Sequence, residues 1–351
     1  MAKRAAIILS GGRARRFQSE QETWQDKALV ELFGKPLLIH AIENIRNFVE
    51  EIVIIVNNEK RKALYSEVLT RHHVRSPILL IDEKINNLGG PLVAIFTGLK
   101  SVKADYCLTL PCDMPLLQPK VTEYMFNAAK DYRIVVPIWP NGRLETLIMV
   151  LERKSGLRIA DALYYLNRPR SDDIIRGASK IMFVSTVGEI KALDPELKSF
   201  VNINHREDLA KLQPRRVQGS ITKNMQLNLG SLPTLELQQL RDAAALSKED
   251  KLPESSRIFS SCATELERKG VFFWAAISRE NEGKKLLKWA QQQNKPKLSA
   301  EQSSRGKKAL LKAAGNYGLE AEMHERNGYL FLAERARSDK SWCSSHATNL
   351  T

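Results

Sequence analysis

The chain lacks any apolar run of the roughly 18 to 20 residues that crossing a bilayer takes, which excludes a membrane helix. Cysteine is scarce. Cys107, Cys112, Cys262 and Cys343 are scattered with no Cys-x-x-Cys pair, which excludes a disulfide framework and a thiolate zinc site and fits reduced thiols in a cytoplasm. Six histidines, His40, His72, His73, His205, His324 and His346, stand at no metal-ligand spacing and read as surface or core residues. The opening Met1-Ala2-Lys3-Arg4 runs straight into an apolar stretch without a signal-peptide pattern, so a cytoplasmic location is expected. What the chain does have is 351 residues, 43% hydrophobic and 27% charged, the make-up of a soluble globular protein with room for two domains.

The net charge of +14 is uneven. Residues 1–210 hold 30 basic and 25 acidic residues, a net of +5, and residues 211–351 hold 24 and 15, a net of +9. A basic tail of this kind can meet a polyanion. Here the basic residues are interspersed with acidic ones and no RNA- or DNA-binding motif is present, so a solvated helical surface is the better reading and a nucleic-acid partner ranks last.

Apolar runs alternate with amphipathic stretches over the first two hundred residues. Strands are expected at 6–9, 52–56, 78–81, 106–110, 134–136, 146–150 and 181–184, and helices at 37–47, 60–70, 92–101, 120–130, 155–166 and 206–212. Strands separated by helices imply an α/β fold with a mostly parallel sheet and right-handed crossovers. Such sheets bind ligands at the carboxyl ends of their strands, which selects the loop after Leu9, the turn at Asn57-Asn58 and the loop after Leu110.

The expected domains are residues 1–212, a turn-rich linker at 213–232, and a basic all-α region at 233–351 whose last residues are left as a disordered end. That region contains an echo. Ala263-x-x-x-Glu267-Arg268-x-Gly270-x-x-Phe273-x-Ala275-x-x-x-Arg279 recurs as Ala321-x-x-x-Glu325-Arg326-x-Gly328-x-x-Phe331-x-Ala333-x-x-x-Arg337, at a constant offset of 58. Each copy fits a helix, a glycine C-cap and a second helix. Either a short repeat array or two similar hairpins in one bundle satisfies the pattern.

Four motifs carry chemistry. The first is Ile7-Ile8-Leu9-Ser10-Gly11-Gly12-Arg13-Ala14-Arg15-Arg16, followed by Lys27. An apolar strand stops at two glycines, which let the backbone approach a ligand and present bare N–H groups. Arginine and lysine then supply charge for phosphate oxygens, so strand end, loop and cations describe a nucleoside triphosphate site. The second is Leu108-Thr109-Leu110-Pro111-Cys112-Asp113-Met114-Pro115. A carboxylate at a strand's end can hold Mg²⁺ or cap a turn, and beside a phosphate loop the metal reading of Asp113 is preferred. The third is Asn86-Asn87-Leu88-Gly89-Gly90-Pro91-Leu92, where a proline opens a helix and N–H groups at its start can face a base or sugar, with Asp82 just before it. The fourth is Phe200-Val201-Asn202-Ile203-Asn204-His205, in which Asn202 is given a site role and Asn204 a helix-capping role.

In this order the motifs resemble the molybdenum cofactor guanylyltransferase family of nucleotidyltransferases. The resemblance covers residues 5 to about 212, through Leu9-Ser10-Gly11-Gly12 with Arg16, Asp26-Lys27-Ala28-Leu29, Gly34-Lys35-Pro36-Leu37, Gly90-Pro91-Leu92, Cys112-Asp113-Met114-Pro115 and Asn202-Ile203-Asn204. It implies a three-layer, Rossmann-like (GT-A-like) domain, with the all-α helical-hairpin region outside it. It implies an Mg²⁺-dependent enzyme that transfers GMP from GTP to the phosphate of molybdopterin or its molybdenum-loaded form, releasing pyrophosphate. Lys27, Asp113 and Arg16 would be catalytic, with Asp113 on Mg²⁺. Leu9, Ser10, Gly11, Gly12, Arg13, Asn57, Asp82, Gly90, Pro91 and Leu92 would hold GTP, and Asn202 would lie near the pterin phosphate. Two departures stand out. A long polar stretch, Gln18 to Gln25, follows Phe17 and reads as a lid over the triphosphate, and the closing motif has Asn-His-Arg-Glu-Asp where the family more often has Asn-Thr-Pro-Glu-Asp.

The alternatives are transfer to another phosphate acceptor, such as cobinamide phosphate, phospholactate or a sugar phosphate, and a regulatory or scaffold protein on a nucleotide-binding fold. In either case the helical region is expected to bind a protein partner.

Overall fold

The computed structural model describes residues 2–11, 26–75, 77–83, 89–205, 207–214 and 217–348. They form two compact units, Met1–Ala160 with Pro169–Asn228, and Asp161–Arg168 with Leu229–Thr351. Gly12, Arg13, Arg16, the expected lid and Asn86 to Leu88 lie outside the described residues. No helix among the described residues is long and apolar enough to cross a membrane.

Among the described residues the first unit has ten strands: β1 (Arg4–Ser10), β2 (Glu31–Leu32), β3 (Lys35–Pro36), β4 (Glu51–Val56), β5 (Ile78–Ile81), β6 (Tyr106–Pro111), β7 (Ile134–Ile138), β8 (Met149–Glu152), β9 (Lys180–Ser185) and β10 (Met225–Asn228). Its helices are α1 (Leu37–Ile45), α2 (Glu59–Arg71), α3 (Pro91–Ser101), α4 (Pro119–Ala128), α5 (Arg153–Tyr165), α6 (Asp172–Arg176), α7 (Lys191–Leu193) and α8 (Asp208–Lys211). Eight strands make one sheet in the order β10-β9-β7-β8-β6-β1-β4-β5. The block β6-β1-β4-β5 is parallel, as is β7 with β9. β8 runs antiparallel between β6 and β7.

The apolar runs become strands because helices cover both faces of the sheet. On one face Ile8, Ile54 and Leu108 meet Leu38 and Ile42 of α1 and Met125 and Phe126 of α4. On the other, α3 lies so close to β1 that a Cβ on Gly98 would stand 2.4 Å from Ile7. Each fully buried Ile, Leu or Phe contributes about 1.5–3 kcal/mol. This packing fixes the start of α3 beside the end of β1.

The second unit holds α9 (Thr234–Lys248), α10 (Leu252–Arg268), α11 (Phe272–Gln291), α12 (Pro296–Arg326) and α13 (Leu330–Thr348). The sequence echo is a structural one. α10–α11 and α12–α13 are two hairpins, each turned at a left-handed glycine, Gly270 at φ +69° and Gly328 at φ +79°. Val271 N–H donates to the Leu266 carbonyl at 2.9 Å, and Tyr329 N–H to the His324 carbonyl at 2.8 Å, the same six-residue closure in both copies. Arg279 bonds Glu267 bidentately at 2.9 and 2.8 Å, and Arg337 pairs with Glu325 at the equivalent place. α11 crosses α12 at two glycines, where a Cβ on Gly283 would lie 2.9 Å from the Gly306 carbonyl oxygen.

Three expectations are revised. The stretch 213–232 is not wholly linker: β10 pairs antiparallel with β9 at the sheet's edge. Only Leu227 of this strand is buried, so no alternating pattern announces it. The expected boundary at 212 also fails to separate the units, because the end of α5 belongs with the helices. There Arg241 forms an ion pair with Asp161 at 3.0 Å, and Arg168 hydrogen-bonds Asp339 at 2.7 Å. The chain's end, expected to be disordered, is helical to Thr348.

Candidate active site

β1 ends at Ser10, and Gly11 follows at the mouth of a cleft of about 280 Å³. Leu9, Ser10, Gly11, Lys27, Asp82, Gly90, Pro91 and Asp113 line it, so eight of the expected residues converge. The cleft opens at the carboxyl ends of β1 and β6, where a parallel sheet leaves strand ends uncovered. Gly11 has no side chain to fill it, and a Cβ there would stand 3.6 Å from an Asp82 carboxylate oxygen.

Lys27 is the centre of the polar lining. Its Nζ donates to Asp113 Oδ2 at 2.7 Å and to Asn204 Oδ1 at 2.8 Å. Asp113 stands just past the end of β6. Asn204 is delivered by a backbone bond one residue earlier, Ile203 N–H to the Asp113 carbonyl at 2.9 Å. An ammonium carries three donors, so one remains for a ligand oxygen.

Asn204 therefore stands in the site, and the capping role expected for it is not what it does. The cap runs the other way: Asp208 Oδ2 accepts the backbone N–H groups of Asn204 and His205, each at 2.7 Å. Asn202, given the site role, is exposed. In an extended stretch neighbours two apart share a face, so alternation alone could not choose between them. Val201 and Ile203 pack into a small core with Val30 and Leu37, which turns both asparagines the other way, and only the bond from Lys27 singles out Asn204.

Behind Lys27 lies a buried network that the sequence did not reveal. Asp26 accepts from Ala28 N–H at 3.1 Å, from Arg61 Nε at 2.6 Å and from the Tyr65 hydroxyl at 2.9 Å. Tyr65 also hydrogen-bonds Ser10 Oγ. The Arg61 and Asp26 side chains are only 5% and 2% exposed, so neither charge can be left alone without a large desolvation penalty. The network ties α2 to β1 and to the residue before Lys27. Arg61 was invisible because it sits in Glu59-Lys60-Arg61-Lys62, which reads as a solvated helix face.

Two further residues stand differently from expectation. Asn57 supports Gly11 rather than lining the cleft, its Nδ2 donating to the Gly11 carbonyl at 3.2 Å. Leu92 is buried in the core, and its N–H is taken by the Pro169 carbonyl at 3.2 Å, so it does not face the cleft. Gly90 is required there: at φ +113°, a Cβ would stand 2.8 Å from the Pro169 oxygen.

Among the described residues no group of three or more His, Cys, Asp or Glu side chains could hold a metal alone. Asp113 offers one acceptor, Oδ1, which is buried without a hydrogen-bond partner. That fits Mg²⁺ of the kind held by one or two carboxylates plus substrate phosphates. Cys112 is no nucleophile here. Burial, with the Asp113 carboxylate next in effect, pushes its thiol up to about 12.

Residues 6–180 match the sequence model of the MobA-like NTP transferase domain. A probable molybdenum cofactor guanylyltransferase of Methanosarcina acetivorans is 31% identical over 207 residues, covering 59% of this chain and 88% of that protein. The chain belongs to the MobA-like NTP transferase family. It is a nucleotidyltransferase. A molybdenum cofactor guanylyltransferase of Shewanella putrefaciens is 34% identical over 150 residues, 43% of this chain and 69% of that protein. The crystal structure of molybdopterin-guanine dinucleotide biosynthesis protein A from Archaeoglobus fulgidus is 20% identical, with a TM-score of 0.48, over 60% of this chain and 96% of that one. The family match ends at residue 180, so Asn204 and helices α9 to α13 lie beyond it.

Proposed function

We propose that this MobA-like protein transfers GMP from GTP to the terminal phosphate of molybdopterin or its molybdenum-loaded form, with release of pyrophosphate. The observation that carries the reading is the Lys27–Asp113 pair lining a cleft with Gly11 and the start of α3, with Asn204 bonded to the same Lys27. Names of relatives more than two thirds covered by this chain support the acceptor and the base.

An acceptor phosphate oxygen attacks the α-phosphorus of GTP in line. The new P–O bond forms as the bond to the β-phosphate oxygen breaks, and pyrophosphate leaves. No protein nucleophile takes part. Lys27 places its free N–H on the triphosphate and offsets charge as the leaving group develops. Gly11, held by Asn57, lets the backbone come within hydrogen-bonding range of the nucleotide. Asp82, beside Gly11 in the cleft lining, would accept from the ribose or base. Asp113, with Asn204 beside it, would hold Mg²⁺, which when bound neutralises triphosphate charge. The acceptor would enter on the Asn204 side.

Purified protein with Mg²⁺, molybdopterin and each of GTP, CTP, ATP and UTP tests the reading through pyrophosphate release. Release with GTP that requires molybdopterin is expected. Release with another nucleotide, or with GTP only when a different phosphate acceptor replaces molybdopterin, would overturn it.

A further inference from the structure

From Gly315 on α12 we infer that the helical unit pairs with a second copy of itself, α12 lying antiparallel on its twin about a two-fold axis at that glycine. Three other glycines within the helices of this unit are explained by what they touch. Gly283 and Gly306 abut each other, and a Cβ on Gly318 would meet Lys340 Nζ at 3.3 Å. Gly315 is different. It sits in the interior of a 31-residue helix, exposed, and a Cβ there would have nothing within 4 Å. Nothing among the described residues calls for a residue that weakens the helix relative to alanine. A bare backbone at an exposed point suits close approach by another chain.

The surroundings of Gly315 say which chain. Leu311 and Leu319, four residues either side of it, are exposed large apolar side chains at 52% and 44%. Lys308 and Glu322, seven residues either side, are exposed and of opposite charge. At 100° per residue all five fall on one face of the helix. An antiparallel two-fold pairing through Gly315 sets each residue opposite the one equally far on the other side. Leu311 then meets Leu319 of the second copy, and Lys308 meets Glu322, in both halves at once. That is the self-complementarity an isologous interface requires. The opposed charges favour the antiparallel register, because a parallel pairing would set Lys308 on Lys308. Among the described residues Glu322 pairs with Arg326 alone, an exposed partner at 3.2 Å on its own helix, so its carboxylate can take a second cation. One helix pair is a small interface, and the pairing is therefore concentration-dependent.

Sedimentation velocity of the full chain across a concentration series tests this. The weight-average mass should rise toward that of two chains. Gly315→Leu should weaken association about tenfold or more while leaving the circular dichroism spectrum and melting temperature unchanged or improved, since the added side chain meets open space in the single chain. Lys308→Glu should weaken association, and adding Glu322→Lys should restore it. Gly315→Cys should cross-link to itself under mild oxidation, whereas Leu235→Cys on α9 should not; the native cysteines are all buried. A chain that stays monomeric throughout, a Gly315→Leu protein that associates like wild type, or a double charge exchange that fails to recover pairing would each overturn the inference.

Discussion

Asp26 with Arg61, and Glu325 with Arg337, are the same two chemical groups set in two regions of the molecule. In the α/β unit the pair is 5% and 2% exposed and supports the residue before Lys27. In the helical unit it is about half exposed, at 49% and 51%, and fastens the two arms of one hairpin. Glu267 with Arg279, the other copy of that hairpin, lies between them, its arginine 6% and its carboxylate 30% exposed. Burial, more than the identity of the partners, sets what such a pair contributes. A buried pair positions, because neither member tolerates being left alone. An exposed pair trims the geometry of a turn that the glycine has already made.

The largest effect that would break this contrast lies in the cleft. Asp113→Ala should lower turnover by about 10²–10³-fold or more while leaving the fold intact by circular dichroism. Near-normal pyrophosphate release would remove Asp113 from the reaction. Next comes Asp26→Ala. It strands the Arg61 guanidinium and should cost about 3–5 kcal/mol in urea unfolding. Glu325→Ala should cost at most about 1 kcal/mol. Equal costs for the two would show that burial is not what separates the regions.

Gly270→Ala and Gly328→Ala should each cost about 1–2 kcal/mol, because both glycines hold left-handed backbone. A large difference between them would show that the two hairpins are not equivalent. The smallest effect is one of pH. Arg279, bonding Glu267 bidentately, holds that carboxyl below its usual range. Its folded value lies under its unfolded one, so the contribution is present above the unfolded value of about 4.3 and is lost as pH falls through the folded one. Acid unfolding of Glu267→Gln should therefore lose part of its dependence on pH below about 4.3, against wild type.

What could be read from the sequence follows the range of the interactions. Parallel strands buried on both faces are continuous apolar runs, so the strands lining the cleft, and the three strand ends that matter, were legible. Glycine turns and residues twelve apart on a hairpin are local, so both hairpins were legible as well. The antiparallel insertion of β8 and the edge strand β10 were not, since pairing partners leave no mark on an apolar run. The buried Arg61 looked like any helix-surface arginine. Asn204 was separated from Asn202 by a bond from Lys27 across 177 residues, which no local pattern announces. Asp161 and Arg168 belong to the helical unit through partners that far exceed local spacing.

We propose that Lys27, Asp113 and Asn204 form the reacting centre. Pyrophosphate release from GTP by Asn204→Ala and Asn202→Ala, measured side by side with wild type under the same Mg²⁺ and acceptor conditions, tests it most directly. Asn204→Ala should lose most of its turnover and Asn202→Ala should stay near wild type. Loss in Asn202→Ala with Asn204→Ala unaffected would contradict the account.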